Sequence, residues 1–487
     1  MHEITIVFVP LQRLIRLIHI FCFIMPLNSF HFWLVFPFIF SLYWLIPSKF
    51  SVVKKWFLII VSYLIYMNWK PAFAIVLIYV TLITYFGARI IEHRNRTKGT
   101  AWVLSLLAIF PLFVFKYYNF INANITAGLE WVGLHFDMPG LNWAIPVGIS
   151  FFTFQAVGYF LDVHYKKIEA EKSFTDYVLF VSFFPQVASG PISKASELLP
   201  QIKNPKPFNY EQGVTGLKLL LWGMFLKTVI ADRLGMFVNL IYDNYATMSG
   251  KECLLGSFFY SMQIYTDFAG YSFMAIGIAK LLGYDLINNF KRPYFSVSIT
   301  DFWRRWHISL SRWLKDYVYI PLGGSRCGKL RNYLNILITF LVSGIWHGAS
   351  WTFIVWGLLH GIAQIFEKAL HLQKCENKTI WIKLTRIFVT FVIVNMFWIY
   401  FRMPTITDTH NFIHNIITNF SGSIYWGQYK YAIFLLIPIA KSIHDEFFPS
   451  RSMFCHRILR WSAYVSLFIM IILFGILSSG QFIYVNF

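Results

Sequence analysis

The stretch that decides the fold runs Tyr333-Leu-Asn-Ile-Leu-Ile-Thr-Phe-Leu-Val-Ser-Gly-Ile-Trp-His-Gly-Ala-Ser-Trp-Thr-Phe-Ile-Val-Trp-Gly-Leu-Leu359. It holds no fully charged residue, and His347 stands near its centre. About 20 apolar residues suffice to cross a bilayer as a helix. An imidazole placed in hydrocarbon is costly and by default marks a functional site. His347 lies sixteen residues beyond Arg331, the nearest strong cationic marker. That is about 24 Å along a helix, deep in a hydrocarbon core of about 30 Å. The plainer alternative is a core histidine held by a neighbour such as Ser343. Gly344 and Gly348 share its helical face, either to let something approach or to let helices pack. His360, beside Gly357 and Gly361, fits the packing alternative better.

Composition extends this reading to the whole chain. Of 487 residues, 57% are hydrophobic, 20% aromatic and 13% charged, against about 25% charged in soluble domains. Mean hydropathy is +0.56. The sequence therefore predicts an all-α polytopic membrane protein with about 11–12 spanning helices. The expected spans lie near 31–47, 56–69, 71–91, 101–121, 143–161, 213–241, 253–279, 333–349, 351–370, 387–403, 431–447 and 462–485. The net charge of +20 does not point to nucleic acid, because the excess sits in short loops between apolar runs, as the positive-inside rule produces. Cys22, Cys253, Cys327, Cys375 and Cys455 are scattered without ligand spacing, so neither a disulfide framework nor a metal site is expected.

The loops set the orientation. Lys49, Lys54 and Lys55 flank one end of the 56–91 hairpin, and Arg89, Arg94, Arg96 and Lys98 the other, so both ends belong inside. Residues 117–142 and 404–429 contain no Lys or Arg and are read as extracytoplasmic. Residues 291–332 form a cytoplasmic, basic and amphipathic segment, and the C-terminus falls outside. One apolar stretch, Phe174 to Pro191, has basic residues on both flanks and contains Pro185 and Gly190-Pro191. A segment with helix breakers at its deep end that starts and finishes on one side reads as re-entrant. Residues 1–24, with Arg13 and Arg16, form an extension of different character. Initiation at Met25 is expected, with 25–487 as one transmembrane domain.

Asp301 to Tyr317 carries the second histidine. On a helical wheel Trp303, Trp306, Leu310, Trp313, Leu314 and Tyr317 share one face, with Arg304, Arg305, Arg312 and Lys315 opposite. An interfacial helix held by tryptophans and anionic lipid explains the arginines. It does not explain His307 at the apolar margin. Histidine suits acyl transfer to a hydroxyl, since a neutral imidazole takes the alcohol proton as oxygen attacks a thioester carbonyl. GxSxG, HExxH and Walker A patterns are all missing from the sequence.

The run Arg304-Arg305-Trp306-His307-Ile308-Ser309-Leu310-Ser311, continued by Asp316-Tyr317-Val318-Tyr319-Ile320-Pro321-Leu322-Gly323-Gly324, resembles the signature of membrane-bound O-acyltransferases. It is most similar to the branch that O-acetylates alginate and peptidoglycan. Phe184-Pro185-Gln186, Gly190-Pro191-Ile192, Gln263 to Phe268, Trp346-His347-Gly348 and Phe482-Ile483-Tyr484 extend the resemblance from about Met25 to the C-terminus. It implies a helical bundle with a central tunnel, with His347 catalytic and His307 the second active-site position on the cytoplasmic side. Further expectations follow from it. The donor is acetyl-CoA or another acyl thioester, with no tightly bound cofactor, and Arg304, Arg305, Lys315 and Arg326 receive its phosphates. Asp267 is a further substrate-binding candidate, the acidic residue nearest the site, since Phe273 stands where relatives often carry an acid. The partners are a periplasmic SGNH-type acyltransferase, an acyl-CoA or acyl carrier, and membrane lipid, in a bacterial inner membrane. Two rivals remain: a D-alanyltransferase fed by a carrier protein, and a transporter of envelope precursors.

Orientation is tested with an impermeant thiol reagent on a variant that retains Cys327 alone. Intact cells should leave Cys327 unlabelled until the membrane is opened. Labelling from outside reverses the topology and the direction of transfer.

Overall fold

The computed structural model describes residues 26–93, 97–135, 139–373, 379–421, 424, 426–450, 453–454 and 456–477. The extension 1–24, Arg94, Arg96 and the terminal Phe482-Ile483-Tyr484 lie outside the described residues. Among those described every regular element is helical, as a chain that must satisfy its backbone without water requires.

The first half of the chain contains α1 (Phe30–Leu45), α2 (Ser51–Met67), α3 (Phe73–His93), α4 (Lys98–Leu112) and α5 (Tyr118–Trp131). After α6 (Ile149–His164) come the short α7 (Phe174–Ser182), α8 (Phe184–Val187) and α9 (Ala195–Lys203). The centre is built by α10 (Tyr210–Met224), α11 (Asp232–Asp243) and the long α12 (Gly250–Leu281). Then follow α13 (Ile299–Arg305), α14 (Ile308–Leu314), α15 (Lys329–His347) and α16 (Trp351–Ala369). The chain closes with α17 (Ile380–Arg402), α18 (Ile406–Thr418), α19 (Leu436–Phe447) and α20 (Arg457–Phe474).

Among the described residues, six helices are long and apolar enough by composition to cross a membrane. Two of them are 34-residue rods, Lys98–Trp131 and Tyr210–Asp243. Each passes through a π-helical turn, Phe113–Tyr117 in the first and Phe225–Ala231 in the second. The stretch expected as a span at 431–447 divides into a 3-10 helix, Trp426–Leu435, and α19. Exposure is inverted relative to a soluble protein. Phe38, Trp102, Phe388 and Ile458 point outward, while Lys54, Lys116, Lys227, Asp162 and Asp267 are buried, the distribution expected when lipid is the solvent.

The segment expected to re-enter breaks at Phe183, between α7 and α8, and leaves helix altogether after Val187. Residues 179–193 are buried throughout, which irregular backbone at membrane depth demands. Side chains from elsewhere complete its hydrogen bonding: Phe184 N donates to Ser62 Oγ at 3.1 Å and Ile192 N to Ser309 Oγ at 3.0 Å. Lys203, beyond the segment, meets Glu171, before it, at 2.8 Å. The two ends therefore lie together.

Close helix contacts rest on glycine. A Cβ on Gly216 would stand 2.7 Å from Gly277 O, and one on Gly223 2.6 Å from Gly270 O. With the members of each pair spaced seven residues apart on their helix, α10 and α12 approach backbone to backbone, as small residues permit inside membranes. The same holds for α15 and α16 at Gly344, where a Cβ would stand 2.3 Å from Phe353 O, while Gly348, just past the end of α15, leaves room for the Phe353 ring. Of the two readings offered for those glycines, helix packing is what the structure shows.

Candidate active site

The Asp301–Tyr317 segment buries the face its periodicity marks: Trp303, Trp306, Leu310, Trp313, Leu314 and Tyr317 are each at most 9% exposed. Two expectations about it are corrected. It is not one helix, and its tryptophans do not lie in lipid. Trp306 adopts extended backbone and His307 the left-handed conformation, φ 43° and ψ 53°, between α13 and α14. Backbone held this way in a non-glycine residue costs energy and persists only where neighbours enforce it. Asn289 is the enforcing residue. Its carbonyl accepts from Ile308 N at 3.0 Å and its Oδ1 from Ser309 N at 3.1 Å, so the first amides of α14 are capped from outside the segment.

Two carboxylates fix the rest of the segment. Glu367, near the end of α16, accepts from the backbone N–H groups of Ile299 and Thr300 and caps α13. Glu446, on α19, binds Arg292 and Arg305 at 3.0 Å each and Lys383 at 3.4 Å. The Trp313 indole donates to Phe154 O at 2.8 Å and stacks on the Phe154 ring with centroids 4.0 Å apart.

His307 is wholly buried, stacked on Phe151, edge-on to Phe268 at 4.7 Å, and 5.7 Å from the Trp346 ring. Its Nδ1 faces Asn289 Oδ1 at 3.4 Å. Because Ser309 N–H fixes that oxygen as an acceptor, Nδ1 carries the hydrogen and Nε2 presents a lone pair. Nε2 has no hydrogen-bond partner among the described residues.

His347 is the last residue of α15 and is 1% exposed. Trp346, Trp356 and Phe401 surround its ring at centroid distances of 4.8, 4.9 and 5.0 Å. Trp346 thus touches both histidines. The hydroxyl of Ser343, the neighbour considered for His347, makes no hydrogen bond among the described residues. His360 accepts from the Trp303 indole at 3.2 Å within an aromatic cluster, as its packing role anticipated.

A cavity of about 480 Å³ is lined by Trp303, Arg304, Lys315, Phe340, Ser343 and Lys368, among others. A second, of about 20 Å³, is lined by Lys116, Ser150, Phe151, Trp346 and His347 with the chain from Ile145 to Ile149. Ser343 faces the large space and His347 the small one, four residues on, or about 6 Å along the helix. Helix α15 therefore brings the two spaces within one turn of each other.

The structure sorts the sequence candidates. Arg304 and Lys315 line the large cavity and have no ion-pair partner among the described residues. Arg305, one residue on, is held by Asp301 at 3.1 Å and by Glu446. Arg326 is exposed on the turn after Gly324 and does not line the cavity. Asp267 contacts Lys227 at 2.5 Å, with Asp232 on the same ammonium at 2.7 Å. Three residues of the site escaped the sequence reading: Asn289, Lys368 and Lys116. Only Lys116 carried a signal, as the single charged residue between Gly99 and Leu129.

The family described as MBOAT, membrane-bound O-acyltransferase family, matches residues 166–401. The chain is 37% identical over 384 residues to a peptidoglycan O-acetyltransferase of Helicobacter pylori, a match covering 73% of this chain and 72% of that protein. It is 36% identical over 371 residues to a probable alginate O-acetylase AlgI of Pseudomonas syringae pv. tomato, covering 75% and 70% respectively. A teichoic acid D-alanyltransferase of Bacillus subtilis is 27% identical over 303 residues, covering 59% of this chain and 73% of that protein.

The capping role of Asn289 has a direct consequence. Asn289→Ala leaves the buried Ser309 N–H without its acceptor, at a cost of about 1–3 kcal/mol. The apparent Tm of the detergent-purified protein should fall. An unchanged Tm contradicts the role.

Proposed function

The chain belongs to the membrane-bound O-acyltransferase family and is a multi-pass O-acyltransferase; from that premise we propose its substrates and its route of transfer. An acetyl group passes from a cytoplasmic thioester, acetyl-CoA, toward hydroxyls of an envelope polysaccharide outside a bacterial inner membrane. Alginate-like exopolysaccharide and peptidoglycan are the acceptor classes. A periplasmic SGNH-type acyltransferase is the partner that takes the group onward.

The observation that carries this reading is that Ser343, which lines the large cavity, and His347, which lines the small one, stand about one turn apart on α15. A space of about 480 Å³ falls within the usual 300–1,000 Å³ or so of small-molecule sites and accommodates the arm of a thioester donor. Arg304 and Lys315 are the donor-phosphate contacts. Arg326 is a peripheral one, on its exposed turn. The charges of Arg305 and Asp267 are engaged by Glu446 and Lys227, so these two serve to hold helices.

His347 acts as general base. Its imidazole takes the acceptor hydroxyl proton while the hydroxyl oxygen bonds to the thioester carbonyl carbon. The carbon–sulfur bond then breaks, and the departing sulfur takes that proton from the imidazolium. His307, with Nδ1–H toward Asn289, offers a lone pair at Nε2. It therefore orients a group bearing hydrogen, such as the acceptor hydroxyl or an amide of the donor arm, in preference to polarising a carbonyl. Teichoic acid D-alanylation is the second reading, and the similarity on that side is lower in identity and in share of the chain.

In a deletion strain complemented with variants, stably inserted His347→Ala should lower O-acetylation about 10²–10⁴-fold, the usual contribution of base catalysis. His307→Ala should impair turnover with a defect in substrate binding. Near-normal O-acetylation by inserted His347→Ala rejects the assignment.

A further inference from the structure

Helix α15 ends at His347 because Gly348 turns to extended backbone, φ −169° and ψ 158°, and only Gly348 N still reaches back, to Gly344 O at 3.4 Å. The carbonyls of Ile345, Trp346 and His347 are then left without partners inside their own helix. Two adjacent side chains from another helix take all three. Tyr117 Oη donates to Ile345 O at 2.8 Å, and Lys116 Nζ donates to Trp346 O at 2.6 Å and to His347 O at 2.9 Å.

Lys116 and Tyr117 belong to the π-helical turn Phe113–Tyr117 that interrupts the Lys98–Trp131 rod. Such turns gather at functional sites, and this one turns the lysine inward. Lys116 is 8% exposed, its ammonium sits 3.5 Å from Ser150 Oγ, and it lines the small cavity together with His347. A cation at a helix C-terminus also meets the negative end of the macrodipole. Any aliphatic residue would serve lipid better at this position. Tyrosine alone would close one carbonyl and leave free the two that belong to the histidine and its neighbour.

We propose that Lys116 is a positioning residue for acyl transfer: its ammonium clamps the backbone of His347 and so fixes the imidazole against the small cavity. The inference rests on the reading of His347 as general base. Lys116 lies outside the matched residues 166–401. Loss of the clamp frees the last turn of α15 to rotate, which misplaces the base while leaving intact the donor cavity, none of whose lining residues belongs to that turn.

The test uses purified full-length protein in liposomes, with acetyl-CoA as donor, alginate or peptidoglycan oligosaccharide as acceptor and the periplasmic SGNH-type partner added in saturating amount. Rates are expressed per mole of monodisperse, folded protein. Lys116→Met should lower kcat at least tenfold while leaving the KM for acetyl-CoA within threefold of wild type. A variant whose folded fraction keeps wild-type kcat overturns the proposal, even where the yield of folded protein falls, because the lysine then serves stability alone. A matching rise in donor KM overturns it too. Where Lys116→Met gives no folded protein, Lys116→Gln, which keeps a donor without charge, is read by the same two criteria. His347→Ala is measured alongside. If it is inactive and the Lys116 variant is normal, only this inference fails. If His347→Ala is itself active, the general-base reading fails first.

Discussion

A helix that stops inside a membrane must have its last carbonyls closed by protein, and the clamp of Lys116 and Tyr117 on the end of α15 meets that requirement here. The same constraint recurs wherever the chain leaves helical geometry at depth. At Phe183 the freed backbone goes to Ser62, at Ile192 to Ser309, and at His307 to Asn289. These breaks are coupled, since Ser309 both caps the re-entrant segment through its hydroxyl and is itself capped by Asn289. The site is thus the place where several interrupted helices complete one another's hydrogen bonding. A catalytic side chain on such a termination is held more firmly than one on a solvated loop.

Much of this architecture was legible in the sequence, for identifiable reasons. The apolar face of residues 301–317 follows from spacing alone, and each of its six members is buried. The re-entrant segment follows from paired basic flanks and breakers, and the Lys203–Glu171 contact closes it. His347 was conspicuous because hydrocarbon makes an imidazole expensive. What escaped depends on partners distant in the chain. The break at His307 cannot be seen on a wheel, because Asn289 imposes it from 18 residues away. Arg304 and Arg305 are equivalent as sequence, and Glu446, 141 residues from Arg305, is what separates them. Lys116 differs: a lone charge in an apolar run carried the same signal as His347, and orientation rules, which weigh only loop charges, passed over it.

On the proposed reading, the arrangement lets one protein serve two compartments. The basic residues Arg304, Lys315 and Lys368 border the large space together with Ser343, while His347, one turn further along α15, lines the small one. Trp346 packs against both histidines between them. On the proposed reading only a small acyl group needs to traverse this turn. Neither the charged donor nor the polymer has to cross the bilayer.

The most direct measurement is a structure of the full chain in lipid with a non-hydrolysable thioether analogue of acetyl-CoA. The account predicts phosphates against Arg304 and Lys315, the pantetheine arm within the large cavity, and the carbonyl end at the Ser343–His347 turn. An analogue that lies outside that cavity, or that ends away from His347, contradicts it.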